Sequence, residues 1–294
     1  MYKSCHLCPR GCGVNREAGQ TGRCGMTDQT VLARAALHFW EEPCISGTRG
    51  SGTVFFCGCP LGCIYCQNRE IALAHYGKAV TPARLTEIFL ELEGQGAHNI
   101  NLVTATHYAP TVAQAIRAAR ALGLTVPIVY NTSGYETPET LALLDGLIDI
   151  YLTDYRYATS RLAGTYSGAP DYPAVARRAI AEMVRQTGAP VYDGEGIMQR
   201  GTVARILLLP DATGDAKRRV RELYAHYGEG IVYSLMSQYT PRLDLPAPLS
   251  RKVHPAEYDR LVAYATALGV QNAYVQEGTS ATESFIPPFD TTGV

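Results

Sequence analysis

TVFFCGCPLGCIYCQN, residues 53 to 68, runs from a short apolar segment straight into a loop holding four of the chain's nine cysteines. Thr53, Val54, Phe55 and Phe56 favour a pleated, buried backbone, and the glycines and the proline that follow interrupt it. A strand therefore delivers thiols to its carboxyl end. Working outward, "NINLV" (99–103), "VPIVY" (126–130), "IDIYL" (148–152), "VARILLL" (203–209) and "IVYSLM" (231–236) also read as buried strands. Polar or thiol residues follow five of the six: Cys59; Thr104 and Thr106; Asn131 and Ser133; Asp154 and Arg156; Ser237 and Gln238.

Helical patterns fill the intervals. In "TPARLTEIFLEL" Thr81 can cap, Pro82 suits the first turn, and Leu85, Ile88, Phe89 and Leu92 share one face. A second helix runs from Pro110 with Val112, Ile116 and Ala119 inward and stops at Gly123; others start at Thr137-Pro138, near Ala174, near Gly214 and at His254-Pro255. The alternation predicts an α/β fold, either a doubly wound sheet or a parallel barrel. Chemistry gathered after the carboxyl ends of strands favours the barrel, here a partial (β/α)6 TIM-type barrel. Residues 1–48 stand outside the pattern and read as a small Cys-rich module; residues 49–294 read as the barrel with a C-terminal extension.

The chain has 294 residues, 46% of them hydrophobic, enough for a large core. A formal net charge of −1 without like-charge blocks predicts neither a nucleic-acid nor a membrane surface. "MYKSCHLCPR" lacks the apolar core of a signal peptide, and no apolar run reaches membrane-spanning length, so the expected location is cytoplasmic. In that reducing compartment, clustered cysteines point to metal ligands or redox groups rather than disulfides.

The spacing Cys59-x3-Cys63-x2-Cys66 lets three thiolates hold three corners of a cubane iron-sulfur cluster and leaves one iron open. Zinc competes, but a structural zinc site needs a fourth ligand, Cys57 or one from elsewhere. Cys57 reads more simply as a small buried hydrophobe. A CxxxCxxC loop with Tyr65 before the last cysteine, after the first barrel strand, resembles the radical S-adenosylmethionine superfamily. "CIYCQN" looks like the branch of pyruvate formate-lyase activating enzyme, and "NTSGY", "DIYLTDYRY", "LMSQYTP" and "CHLCPRGCGVN" extend the likeness over nearly the whole chain.

This resemblance implies that Cys59, Cys63 and Cys66 hold a 4Fe-4S cluster whose open iron is chelated by S-adenosylmethionine, with Tyr65 beside it. Reductive cleavage would release a 5'-deoxyadenosyl radical that abstracts a hydrogen atom from a substrate, with a glycine of a glycyl radical enzyme as the activase-like case. It also implies a flavodoxin- or ferredoxin-type electron donor. Radical modification of a small molecule or peptide is the alternative within enzymes. A non-catalytic iron-sulfur electron carrier or metal-binding interaction protein is the alternative of another class.

Where related enzymes carry Gly-Gly-Glu, this chain reads Thr104-Ala105-Thr106-His107. Thr104 and Thr106 offer hydroxyl or backbone oxygens to the cofactor ammonium. His107 is a candidate acid, base or donor at the barrel mouth, or a structural histidine. Asn131 and Ser133 can meet ribose or carboxylate groups, or form a plain turn. Asp154 and Arg156, two apart at a strand end, leave on the same side and match the family's Asp-x-Lys, with arginine keeping the charge; a rim ion pair is the rival reading. Arg205 matches an arginine approaching the cofactor, or packs within its strand.

Ahead of the barrel, Cys5-x2-Cys8-x3-Cys12 and Cys24 place four thiols in twenty residues. They form a plausible ligand set for zinc or a second 4Fe-4S cluster, with free thiols as the alternative. Residues 67–98 contain no cysteine, so the ferredoxin-like insertion of many glycyl-radical activases is missing.

Overall fold

The computed structural model describes residues 1–73, 76–276 and 286–294. Its strands are β1 (Thr30–His38), β2 (Ser51–Phe56), β3 (Lys78–Val80), β4 (Ile100–Val103), β5 (Ile128–Thr132), β6 (Ile150–Asp154), β7 (Val191–Tyr192), β8 (Met198–Leu207), β9 (Val232–Met236) and β10 (Ala273–Val275). The helices are α1 (Pro43–Ser46), α2 (Arg69–Ala72), α3 (Pro82–Gly94), α4 (Ala109–Ala121), α5 (Pro138–Ala142), α6 (Ser160–Ser167), α7 (Tyr172–Thr187), α8 (Thr213–Tyr227) and α9 (Pro255–Leu268).

Spatial order along the sheet is β10-β9-β8-β6-β5-β4-β2-β1-β3, with the short β7 antiparallel on β8. The six strands read from sequence, β2, β4, β5, β6, β8 and β9, are parallel neighbours in chain order. A doubly wound sheet would reverse that order at a switch point. Strand order therefore gives the partial barrel, left open between β10 and β3. Where sequence predicts caps, side chains make them: Thr81 Oγ1 accepts from the Arg84 N–H at 3.1 Å, and His254 with Glu257 forms a capping box on α9.

A boundary at residue 48 does not describe the structure, because the sheet crosses it. β1 lies within residues 1–48 yet pairs antiparallel with β2 over Leu32 to His38, and with β3 over Thr30 to Leu32. Its apolar residues Leu32, Ala33 and Ala35 join the barrel's outer core. Only residues 1–29 stand ahead of the sheet.

A two-residue period sorts the barrel strands between two faces. Ile100, Leu102, Ile128, Tyr130 and Tyr151 point outward into a core with Leu85, Ile88 and Phe89 of α3 and Val112 and Ile116 of α4. Val129, Ile150, Leu152, Val203 and Val232 point inward and pack with Cys44 and Ile45 of α1, so the β1–β2 connection plugs the barrel floor. Above this apolar layer the inward positions turn polar: Asn101, Asn131, Asp154 and Arg205. No helix among the described residues is long and apolar enough to cross a membrane.

Candidate functional site

Cys59, Cys63 and Cys66 open onto one recess together with Thr104, Asn131, Ser133, Asp154, Arg156 and Arg205. A second recess, open to solvent, shares Cys66, Asn131, Asp154, Arg156 and Arg205 with the first and takes in Tyr65 and Glu41. The strand ends singled out from sequence thus converge on one space.

Tertiary bonds fix the cysteine loop. The Ile64 N–H donates to the Tyr166 carbonyl at 2.9 Å, Arg242 donates to the Ile64 carbonyl at 2.8 Å, and Arg10 donates to the carbonyls of Pro60 at 3.0 Å and Leu61 at 3.1 Å. Tyr65 stands edge-on to Tyr157, Tyr166 and Tyr239 and walls the loop off from water. The Ser167 hydroxyl donates to Cys63 Sγ at 3.1 Å. Burial pushes the Cys59 thiol up and Cys66 to about 12, while backbone N–H groups of Gly62, Leu61 and Asn68 and the charge of Arg156 work the other way. N–H donors and a cation around sulfur suit thiolates that bind metal.

Arg156 and Arg205 are the cations of the recess. Arg156 Nη2 donates to Asp154 Oδ2 at 2.6 Å, while its buried Nε–H meets no acceptor among the described residues. Burial opposes the charge of both arginines, but Asp154 and its anionic neighbours outweigh it and raise both pKa values. Arg205 donates to Asp154 Oδ1 at 3.1 Å, to Glu41 Oε2 at 3.1 Å and to Asn131 Oδ1. Glu41 also accepts from the side-chain amides of Asn101 and Asn131, each at 3.0 Å. Asn131 and Arg205 therefore line the recess but are tied to its floor.

Thr104 lines the recess with φ of +62°, a rare conformation for a β-branched residue. Gly134 is required nearby: with φ +74°, any Cβ would stand 2.5 Å from the Asp154 carbonyl oxygen. Ser133 lines the same recess, and its carbonyl accepts from the Tyr172 hydroxyl at 2.7 Å.

Two sequence candidates do not reach the site. His107 is 1% exposed; its Nε2–H donates to the Cys57 carbonyl at 2.7 Å, and burial lowers its pKa to about 3. A neutral histidine inside the wall has no substrate to serve. Thr106 turns inward in the same 3-10 turn and donates to buried Glu136 at 2.8 Å instead of facing a cofactor. Cys57 is buried and donates its S–H to the Tyr76 carbonyl at 2.7 Å, away from the other three thiols' recess.

Glu41, Glu42 and Glu136 went unnoticed in the sequence. The available signal was indirect: Asn101 and Asn131 sit inside buried strands, where amides demand partners. In the front segment the amides of Arg10 and Met26 donate to Cys8 and Cys24, the Arg23 N–H donates to Cys12 Sγ at 3.4 Å, and the charges of all four thiols bear on one another. As free thiols they are not drawn up on a point: no three His, Cys, Asp or Glu side chains among the described residues are placed to hold a single metal ion. One tetrahedral ion needs metal–sulfur distances of about 2.3 Å. The Cys59, Cys63 and Cys66 set fits a cubane by its donor chemistry, three thiols with N–H donors beside an arginine whose Nε–H lacks an acceptor.

Residues 53–155 match the family model described as the radical SAM superfamily. An uncharacterized protein of Methanocaldococcus jannaschii is 25% identical over 248 residues, covering 82% of this chain and 67% of that protein. Among solved structures, HydG, a maturase of the FeFe hydrogenase, overlaps with a TM-score of 0.48 at 16% identity. That overlap covers 70% of this chain and 46% of HydG, so the chain spans less than half of that protein. Active domain 2 of a thermostable chitinase from Pyrococcus furiosus overlaps with a TM-score of 0.39 at 15% identity, over 66% of this chain and 69% of that one.

Proposed function

We propose that this chain is a radical SAM enzyme in which Cys59, Cys63 and Cys66 hold a 4Fe-4S cluster, and that it abstracts a hydrogen atom from a glycine of a protein partner; the match of residues 53–155 to the radical SAM superfamily model supports the cluster and S-adenosylmethionine. The observation carrying this reading is the convergence of three thiols and the Arg156 side chain on one recess. Cluster and S-adenosylmethionine together supply a 5'-deoxyadenosyl radical after one-electron reduction.

Everything else falls to the chain. Arg156, oriented by Asp154, would offer its guanidinium to the methionine carboxylate, and the oxygens of Thr104 and Ser133 would accept from the ammonium. Asn131, Arg205 and Glu41 brace one another as the floor. Phe55, Val103, Met236 and Tyr65 give the second recess an apolar part of its lining. The glycine substrate is supported by "CIYCQN" and by Asp154-x-Arg156, and Gln67, Gln238, Thr240 and Ile286 also line the second recess. A flavodoxin- or ferredoxin-type protein in the cytoplasm completes the scheme as electron donor.

The test is the electron paramagnetic resonance spectrum of anaerobic, reduced protein with and without S-adenosylmethionine, together with detection of 5'-deoxyadenosine. A changed cluster signal and product formation, both lost in Cys63→Ala, are expected; an unchanged signal in cluster-loaded protein refutes the reading and favours an electron carrier. Incubation with glycyl-radical-type partners should give a glycyl radical signal. Cleavage without that signal transfers the reading to a small molecule or peptide.

A further inference from the structure

Arg16 is a fully buried guanidinium with no carboxylate partner among the described residues. It donates to the carbonyls of Met26 and Thr27, to the His107 carbonyl at 2.5 Å and to Cys5 Sγ at 3.8 Å. The ring centroids of Tyr2 and Tyr108 flank it at 4.8 and 5.4 Å. Carbonyls and rings solvate a cation but do not neutralise it, and a buried charge without a counter-charge is costly. Cys5, which Arg16 bonds directly, and Cys24, whose ionised form its charge favours, are thiols placed to furnish that counter-charge.

The same segment grips the cysteine loop of the barrel. Arg10 lies between Cys8 and Cys12; its backbone N–H bonds Cys8, while its guanidinium donates to Pro60 and Leu61 on the loop and to Ser167 at 2.8 Å and Gly168 at 2.6 Å. Ser167 in turn donates to Cys63. Gly58, one residue before Cys59, lies under Cys24, whose carbonyl oxygen would stand 2.7 Å from any Cβ there. One arginine thus belongs to both thiol sets.

We propose that Cys5, Cys8, Cys12 and Cys24 bind a thiophilic metal centre, zinc or an iron-sulfur cluster, whose negative charge Arg16 balances, and that loading this centre orders the Cys59–Cys66 loop through Arg10. Backbone N–H donors are already aimed at the sulfurs of Cys8, Cys12 and Cys24, and the Arg16 guanidinium at that of Cys5. Coupling between the two sites is reciprocal, so an ordered barrel loop also tightens the front site. The coupling half rests on the cluster-loop reading above; the metal-binding half does not.

The test is zinc, iron and acid-labile sulfide analysis of the full chain carrying Cys59→Ser, Cys63→Ser and Cys66→Ser together, purified anaerobically. About one zinc, or about four iron with matching sulfide, is expected per chain, and adding Cys8→Ala should remove it. Zinc without sulfide identifies an ion, iron with sulfide a cluster; no bound metal overturns the site. Should the triple variant aggregate, the difference in metal between wild type and Cys24→Ser gives the same count, and no difference overturns the site. Arg10→Ala, with the front metal retained, should weaken iron uptake at the barrel loop by about tenfold under limiting iron and sulfide. Wild-type uptake there refutes the coupling. Loss of S-adenosylmethionine cleavage in loaded wild-type protein would count against the proposed function and leave the metal result of the triple variant standing.

Discussion

Replacing Glu136 by glutamine isolates a pH-dependent cost carried directly behind the recess. The carboxyl group is fully buried; Thr106 and Thr132 both donate to Oε1, and Oε2 meets no partner among the described residues. Burial raises its pKa from 4.5 to about 7, against the threonine hydroxyls, with Asp154 adding to the rise and Arg156 opposing it. Between those two values the native chain keeps a proton that the unfolded chain has released. Stability from this group is therefore fully present below the lower value and is lost as pH rises through the upper one. The whole shift corresponds to about 3 kcal/mol. Glutamine has no such proton. Wild-type unfolding free energy minus that of Glu136→Gln should fall by about 3 kcal/mol from about pH 4.5 to about pH 8, then stay flat. Taking the difference cancels carboxylates held low in both chains, such as Glu257, kept at about 2 by Arg251. Urea unfolding followed by far-ultraviolet circular dichroism across this range gives the two curves. Parallel curves would refute a carboxyl group titrating near neutrality inside this wall.

Ser167→Ala removes the hydroxyl bond to Cys63 Sγ, worth about 1 kcal/mol, so redox titration should find the cluster potential more negative by roughly 20–60 mV. Glu41→Ala leaves Arg205 and two buried amides short of an acceptor; a stability loss of about 3 kcal/mol is expected in denaturant titration, with weaker S-adenosylmethionine binding by calorimetry. Gly58→Ala forces a Cβ toward the Cys24 carbonyl at φ +83° and should cost about 1–3 kcal/mol, read as a lowered unfolding midpoint and faster proteolysis within residues 1–29.

Much of the barrel was legible because its strands are buried on both faces and its helices open with Thr-Pro or His-Pro signals, which are local properties of the chain. The convergence of strand ends followed from parallel order, since all carboxyl ends then share one side. What sequence could not give is which way a side chain turns once past a strand. Thr104, Thr106 and His107 lie within four residues, yet a 3-10 turn sends Thr106 and His107 into the wall and leaves Thr104 on the recess. β1 was missed for a related reason: its partners are β2 and β3, about 20 and 50 residues away, so its pairing is written in long-range contacts rather than in its own pattern. Glu41 and Glu42 follow it, and their role exists only because the plug carries them into the barrel.

Charge gives the arrangement its logic. Burial raises the pKa of Glu42, with Glu41 adding to the rise and Arg205 opposing it. Asp154 and Glu41 face Arg156 and Arg205, two carboxylates against two guanidinium groups. Deprotonating three thiols to bind a cluster adds negative charge, which the cationic sulfonium of S-adenosylmethionine offsets as it arrives. The front module differs, because Arg16 is an unpaired cation before any thiol ionises. Burial nevertheless raises the thiols of Cys8 and Cys24, so their ionisation is expected to come with the metal, Arg16 then balancing the charge and Arg10 carrying the consequence to the loop of Cys59, Cys63 and Cys66.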